Sequence, residues 1–195
     1  MISIIIPIIR PKGALRCVEL IHKNSGIEPE DYEIVTAVDS DHIGCPRMVK
    51  QLVKESTGDM ICFLGDDSLP KPGFLRWALK DMALLPDGWG LVGFNDLTGR
   101  TLPTHWLADQ RVLDITGGEF FHTGYNHCFC DNELMARCEQ VGRYIHSRSA
   151  IVLHDHPILK GKPVTGEYAR VYSQINFSND QRLFLRRRAA NWQSL

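Results

Sequence analysis

The chain alternates short apolar runs with amphipathic stretches through its first 95 residues, and this order limits the folds open to it. The apolar runs cover residues 1–9, 32–38, 60–64 and 90–94. Between them lie segments whose apolar residues recur every three or four positions, as they do on one face of a helix. A strand–helix order of this kind predicts an α/β fold with a mainly parallel central sheet that is flanked by helices.

The second half of the chain has a weaker pattern. Residues 95–130 are rich in Gly, Thr, His and aromatic side chains and show little periodicity, which is typical of a long irregular segment that faces a substrate. Further along, the sequence predicts a helix from Asp131 to Gly142, a strand from Ala150 to Leu153, and a C-terminal helix from about Asp180 with arginines 186–188 exposed. No linker separates these elements, so we expect a single domain.

Charge and composition disfavour several classes of function. The 22 Lys and Arg residues nearly balance the 23 Asp and Glu residues, which leaves a net charge of −1. The chain as a whole therefore has no electrostatic field that would draw it to nucleic acid or anionic lipid. No apolar run reaches the length of a transmembrane helix, and the first strand lacks the basic start of a signal peptide. We therefore expect a cytoplasmic protein in which most of the six cysteines are reduced, buried thiols, with the pair Cys128 and Cys130 set apart by its close spacing.

The strongest local signal is an acidic pair, Asp66–Asp67, at the end of the apolar run 60–64. Two adjacent carboxylates repel each other at the end of a buried strand, and a divalent cation relieves this repulsion and can also bridge a diphosphate. Polar turns also follow the strands at Pro7 and Asp39, at the sheet edge where open α/β folds bind ligands. The alternative is a solvated acidic turn before a helix.

Four motifs occur in a fixed order along residues 1–157. They are the Ile-rich strand that ends at Pro7, the turn Val38-Asp39-Ser40-Asp41, the segment 57–73 that contains Gly65-Asp66-Asp67, and the acidic helix from Asp131 followed by the strand 150–154. In this order they resemble family 2 glycosyltransferases with the GT-A (Rossmann-like) fold, and most closely the compact, single-domain members such as those of bacteriophages. The chain departs from the family pattern in three ways. Gly65 replaces the first Asp of D-x-D, and Asn132 replaces a second acid. The helix before the acidic pair lacks the usual Arg-Asn pair, and Arg47 and Lys50 are its available cations.

The resemblance implies roles for individual residues. The expected donor-binding residues are Pro7, Ile8, Arg10, Asp39, Lys50, Asp66 and Asp67. Within this set Asp66 is expected on the ribose and Asp67 on a Mn²⁺ or Mg²⁺ ion, with His154 or its neighbour His156 completing the metal site. Asp131 is expected to be the catalytic base. The alternatives are a helix-capping acid for Asp131 and an ordinary strand end for His154.

The function that follows from the resemblance is metal-dependent, inverting transfer of a sugar from a nucleoside diphosphate sugar, with UDP the commonest nucleotide, to an acceptor hydroxyl. Residues 1–95 would form the nucleotide-sugar-binding half, 96–157 the acceptor and catalytic half, and 158–195 a C-terminal tail and helix. The acceptor could be a glycan, a lipid carrier or a modified nucleic-acid base. Two alternatives remain: a catalytically inactive nucleotide-sugar-binding module, and a nucleotidyltransferase, for which residues 11–13 make a poor phosphate loop.

A group of histidines and cysteines in the weakly patterned segment has two interpretations. We expect His122, Tyr125, Asn126 and His127 near the acceptor pocket, because rings and amides suit the hydroxyls and CH faces of a sugar. The same histidines could instead bind structural zinc together with cysteines 128, 130 and 138. The absence of a Cys-x-x-Cys spacing makes zinc the weaker interpretation.

Overall fold

The computed structural model describes residues 1–193, and Ser194 and Leu195 lie outside the described residues. Its strands are β1 (Ile2–Ile8), β2 (Tyr32–Val38), β3 (Met60–Phe63), β4 (Ser68–Pro70), β5 (Leu91–Asn95), β6 (Trp106–Asp109) and β7 (Tyr144–His154). Its helices are α1 (Pro11–Asn24), α2 (Cys45–Glu55), α3 (Phe74–Met82), α4 (Val112–Thr116), α5 (Cys130–Gln140), α6 (Gly166–Val171) and α7 (Gln174–Ala189).

The strands form one sheet in the order β2-β1-β3-β6-β5-β7-β4. The pairs β1–β2, β1–β3 and β5–β7 are parallel, whereas β3–β6, β5–β6 and β4–β7 are antiparallel. Strands β1, β2, β3, β5 and β7 therefore point the same way, and β4 and β6 run against them. The predicted α/β class, with a helix-flanked sheet, is confirmed, and the sheet is mixed.

Two elements lie in the segment 95–130, for which the sequence predicted no regular structure. Strand β6 joins β3 to β5, and α4 follows it directly. Four residues are too few to show a period, so β6 is determined by pairing on both sides rather than by its own pattern. Trp106 at its start is fully buried as a result.

Two predicted element boundaries also need correction. Strand β7 begins six residues before Ala150, at Tyr144, because its first residues pair with β5 before an irregularity in the register at Gly93 and Asn95. Helix α7 begins at Gln174 rather than near Asp180, because the Ser173 side chain accepts a hydrogen bond from the backbone N–H of Asn176 and caps the helix.

The hydrophobic core has two parts, one on each face of the sheet. Along β1 the side chains alternate, so Ile4 and Ile6 pack on one face with α1 and α3, while Ile5 packs on the other face with α2 and α5. Both faces of β1 are buried, which explains why the first apolar run is continuous rather than alternating.

The chain after β7 folds back onto the rest of the molecule and is held by two buried charges. Asp180 on α7 accepts hydrogen bonds from the backbone N–H groups of residues 126, 127 and 128, at 2.8, 2.9 and 2.8 Å. Arg187, expected to be exposed, is 4% exposed and lies 2.7 Å from a carboxylate oxygen of Glu133 on α5, whereas Arg186 and Arg188 are exposed. Within residues 1–193, none of the helices combines the length and apolar character needed to cross a bilayer.

Candidate active site

A cavity of about 390 Å³ lies at the carboxyl ends of β1, β2, β3 and β7. The predicted site residues that line it are Pro7, Arg10, Asp39, Asp66, Asp67, His127, Asp131 and His154. Sequence positions up to 147 residues apart thus meet at one edge of the sheet. The sheet topology explains why they come together, because the parallel strands have their carboxyl ends on the same side of the sheet and a loop follows each strand there.

Asp66 fixes the loop that follows β1. One of its oxygens accepts the backbone N–H groups of Ile9 and Arg10, at 2.8 and 2.6 Å, and the other pairs with the Arg10 guanidinium. The side chain is 1% exposed, so these contacts satisfy a buried charge. Asp66 therefore shapes the wall of the cavity and holds Arg10 within it.

Asp39 fixes the loop that follows β2 in the way that Asp66 fixes the loop after β1. The two oxygens of Asp39 accept the backbone N–H groups of Ile43 at 2.7 Å and of Gly44 at 3.0 Å, which closes the turn that leads into α2. Gly44 has a φ of +92°, and a Cβ atom there would lie 2.6 Å from the carbonyl oxygen of Asn126. Only glycine fits this position without a backbone shift.

Asp67 is contacted by three side chains of the cavity, whereas Asp66 binds mainly backbone N–H groups. Oδ2 of Asp67 accepts from the Tyr168 hydroxyl at 2.7 Å and from Arg10 Nη1 at 3.1 Å, and lies 3.2 Å from His154 Nε2. Burial works to raise the pKa of Asp67, but the hydrogen bond and charge of His154, together with the charge of Arg10, hold that pKa well below its ordinary value. Asp67 is thus an anion over the whole working pH range.

Three side chains meet as a possible metal site: Asp67, His105 and His154 each offer one ligand atom, and these atoms lie within 4.8 Å of one another. One carboxylate and two imidazoles form a donor set that divalent transition-metal ions accept, so the residues fit the predicted metal. Burial lowers the pKa of His105 to about 3, which keeps its imidazole neutral. His154 belongs to this cluster and His156 does not, which bears on the choice that the sequence left open.

The sequence did not identify His105. It directly precedes β6, whose Trp106 is in register with Phe63 of β3, so His105 lies beside Gly65 and the acidic pair. Recognising β6 would have placed a histidine at this edge of the sheet, but the four-residue strand gave no signal of its own. The sequence analysis also did not identify Tyr168 and Tyr172, which line the cavity from the C-terminal segment.

Asp131 is the second residue of α5 and faces the same cavity. One of its oxygens accepts the backbone N–H of Asn132 at 2.9 Å. Burial raises the pKa of Asp131 to about 6, against a smaller opposite effect of nearby backbone N–H groups. A carboxylate with this pKa is a better proton acceptor than an ordinary aspartate at neutral pH.

An aromatic wall closes the side of the cavity that the C-terminal segment forms. The ring of His156 lies edge-on to Tyr168 at 4.5 Å and to Tyr172 at 4.9 Å, and His127 lies edge-on to Tyr172 at 4.8 Å. The Arg10 guanidinium stacks 4.1 Å from the centre of the Tyr168 ring. These contacts hold the segment against the group of Asp67, His105 and His154.

Five predicted site residues do not line the cavity: Ile8, Lys50, His122, Tyr125 and Asn126. Tyr125 corrects the sequence interpretation most clearly, because its side chain is fully buried and its hydroxyl donates to Glu133 at 2.8 Å in the core. Lys50 pairs with Glu119 at 2.5 Å, and the Asn126 amide group donates to Asp180 at 3.1 Å.

The structure does not support the structural zinc site that the sequence left as an alternative. Among residues 1–193, the histidines 122 and 127 and the cysteines 128, 130 and 138 form no cluster of metal ligands. All six cysteines are free, and four of them, cysteines 17, 62, 130 and 138, are buried. Cys130 and Cys138 lie on the buried face of α5, and burial raises their pKa, so they behave as small apolar side chains.

Comparison with known proteins gives matches in structure. No protein-family model matches the chain, and no curated protein sequence matches it. The mannosyltransferase PcManGT of Pyrobaculum calidifontis, solved with GDP-Man and Mn²⁺, matches at a TM-score of 0.70 and 13% identity, over 95% of this chain and 64% of that one.

Two further solved structures agree with that match. TarS of S. aureus matches at a TM-score of 0.57 and 14% identity, over 78% of this chain and 60% of that one. Glucosyl-3-phosphoglycerate synthase of Mycobacterium tuberculosis, solved with Mn²⁺, UDP and phosphoglyceric acid, matches at 0.56 and 12% identity, over 82% of this chain and 72% of that one. The chain therefore spans about 60% of the length of the first two structures. At these identities the likeness establishes the architecture, and the chain has the GT-A fold of these glycosyltransferases.

Proposed function

We propose that the chain is a metal-dependent, inverting glycosyltransferase of the family 2 type that moves a sugar from a nucleoside diphosphate sugar to an acceptor hydroxyl. One observation carries the proposal: the anionic Asp67 with its histidine neighbours and the half-buried Asp131 line one cavity at the carboxyl ends of the strands. The matched structures with GDP-Man and Mn²⁺, or with UDP and Mn²⁺, support a donor of this class.

The donor side of the cavity would be formed by residues after β1, β2 and β3. Pro7 and Asp39 border the place proposed for the nucleobase, and UDP is the nucleotide that we propose first. Arg10 brings a guanidinium to the acidic pair, where it can move from Asp67 to an incoming diphosphate, since guanidinium groups bind phosphate in a bidentate manner.

A divalent ion, Mn²⁺ or Mg²⁺, would be held by Asp67 and His154. When bound, such an ion neutralises the negative charge that grows on the leaving diphosphate. The chain contributes the position of this charge: Asp67 is held by Arg10 and Tyr168, and β7 fixes His154 beside it.

Asp131 would act as the base on the opposite side of the reacting carbon. It takes the proton of the acceptor hydroxyl while that oxygen forms a bond to the anomeric carbon and the diphosphate leaves from the other face. A single displacement of this kind inverts the configuration. A pKa of about 6 leaves Asp131 ionised at neutral pH while keeping it an effective proton acceptor.

The acceptor side has fewer assignments. His127 is the predicted acceptor residue that lines the cavity, and phenylalanines 63, 121, 129 and 177 line it as well. A glycan, a lipid carrier and a modified nucleic-acid base all remain open as acceptors. The division into halves 1–95 and 96–157, the single-domain organisation and a cytoplasmic location belong to the same proposal.

The test compares binding and transfer in three versions of the chain. Thermal unfolding with a panel of nucleoside diphosphates is expected to show stabilisation by one of them that requires a divalent ion. Asp131→Asn is expected to keep this stabilisation and to lose transfer by ~100-fold or more. Asp114→Asn, which removes an exposed acid on α4, is the matched control and should retain both.

Two outcomes would contradict the proposal. Full transfer by Asp131→Asn would remove this residue as the base. Stabilisation by a nucleotide sugar without any turnover, over a panel of acceptors from the three classes, would favour the inactive binding module instead.

A further inference from the structure

His105 is buried beside Asp67 and His154, and its ring is contacted on several sides. It is 2% exposed, its ring stacks on Phe63 with the centres 6.4 Å apart, and it meets the ring of His154 edge-on at 4.9 Å. Its Nδ1 lies 3.4 Å from the Thr104 hydroxyl, which leaves Nε2 facing Gly65 and the acidic pair. A metal-ligating histidine is usually hydrogen-bonded through the nitrogen that does not bind the metal, and His105 has this arrangement, with Nδ1 at Thr104 and Nε2 free to face the acidic pair.

Gly65 leaves a gap between His105 and Asp67. A Cβ atom at residue 65 would lie 2.9 Å from Asp67 Oδ1 and 3.3 Å from His105 Nε2. These two atoms therefore border the same space, which the missing side chain keeps open. The contacts of Asp67 with Arg10, Tyr168 and His154 go to Oδ2, so Oδ1 is the oxygen that faces this gap.

The three side chains are placed by paired strands. Asp67 follows β3, and His105 precedes β6, which pairs with β3 through the register of Phe63 with Trp106. His154 ends β7 and is in register with Ser68, the residue after Asp67. Because backbone ladders fix all three positions, the donor atoms are organised before any ion arrives.

We propose that His105 is a third protein ligand of the divalent ion and that the resulting set of one carboxylate and two imidazoles selects Mn²⁺ over Mg²⁺. This inference rests on the proposed function only in assuming that a divalent metal ion binds at Asp67 and His154. Mg²⁺ keeps a shell of oxygen ligands and dehydrates reluctantly, whereas transition-metal ions accept imidazole nitrogen. A second imidazole in place of an oxygen therefore costs Mg²⁺ more than it costs Mn²⁺.

The experiment measures ion binding by the chain without any nucleotide. Mn²⁺ binding is followed by the loss of the free-ion electron paramagnetic resonance signal, and Mg²⁺ binding by competition against Mn²⁺. We expect Mg²⁺ to bind at least ~10-fold more weakly than Mn²⁺. His105→Gln should weaken Mn²⁺ binding by ~10-fold or more and bring the two affinities closer. His146→Gln, at a half-buried histidine of β7 that does not line the cavity, is the matched control and should bind as the wild type does.

A spectroscopic measurement on the wild-type chain makes the test independent of how well the variant folds. Electron spin echo modulation of the bound Mn²⁺ should report nitrogen from two imidazoles. A single imidazole, equal affinities for Mn²⁺ and Mg²⁺, or unchanged Mn²⁺ binding by folded His105→Gln would each overturn the inference. Mn²⁺ selection without sugar transfer would instead overturn the proposed function and leave this inference standing.

Discussion

Replacing Asp131 by asparagine should stabilise the protein, and the gain should grow as the pH rises. Burial raises the pKa of Asp131 from its ordinary 3.8 to about 6. Between these two values the native state binds more protons than the unfolded state, so the free energy of unfolding falls as the pH increases. Above about pH 6 the native state carries the full cost of a half-buried, partly desolvated charge, which corresponds to about 3 kcal/mol.

Asparagine has nearly the same shape and does not ionise, so the variant avoids this cost. From the two pKa values, the difference in unfolding free energy between Asp131→Asn and wild type should be about 1.5 kcal/mol at pH 5 and about 3 kcal/mol at pH 7.5. Urea denaturation at both pH values, in the presence of a chelator, measures it.

The dependence on pH is the decisive part of this prediction. A difference that is the same at pH 5 and pH 7.5 would refute the argument, because a gain in packing alone does not titrate. Asp114→Asn is the control and should change the unfolding free energy by less than ~0.5 kcal/mol at either pH. The same pKa predicts that the rate of sugar transfer rises through about pH 6 and then levels off.

Three further variants test other parts of the structure. Asp67→Asn should lower the free energy of unfolding by about 2 kcal/mol at pH 7, because it loses contacts with Arg10 and Tyr168. The pKa of Asp67 is lowered in the folded state, so this difference from wild type should shrink on acidification below about pH 4. A difference that grows on acidification would contradict the prediction. Glu133→Gln should cost about 3 kcal/mol in urea denaturation, since it leaves Arg187 buried without its partner. Gly44→Ala should lower the thermal midpoint by several degrees, corresponding to about 2 kcal/mol, and an unchanged midpoint would show that the turn tolerates a side chain.

The fold was predictable where elements are long or fully buried. The apolar runs at β1 and β3, and the helices between them, carry enough residues for their periods to be read, so the α/β class and the position of the acidic pair followed from the sequence. Strand β6 was not predictable in this way. It has four residues, and its place in the sheet depends on pairing with β5 and with β3, the second of which is far away in the sequence.

The residues of the candidate site were likewise predictable only where they lie on long or buried elements. Asp67, Asp131 and His154 lie at the ends of recognisable elements, and the cavity contains all three. His105 and Tyr168 come from segments without a period and reach the site only through tertiary packing. Tyr125 was assigned to the acceptor pocket from its residue type, but an amphipathic ring suits a buried hydrogen bond equally well, and its partner Glu133 lies eight residues away.

The position of β6 in the middle of the sheet has a consequence for how the chain is synthesised. Strand β3 can pair with β1 as soon as both have left the ribosome, but its other edge has no partner until residues 106–109 emerge. For more than forty residues of translation this edge, which includes the apolar Ile61 and Phe63, is open to pairing with neighbouring chains. Conditions that slow elongation through this interval should therefore favour aggregation of the nascent protein.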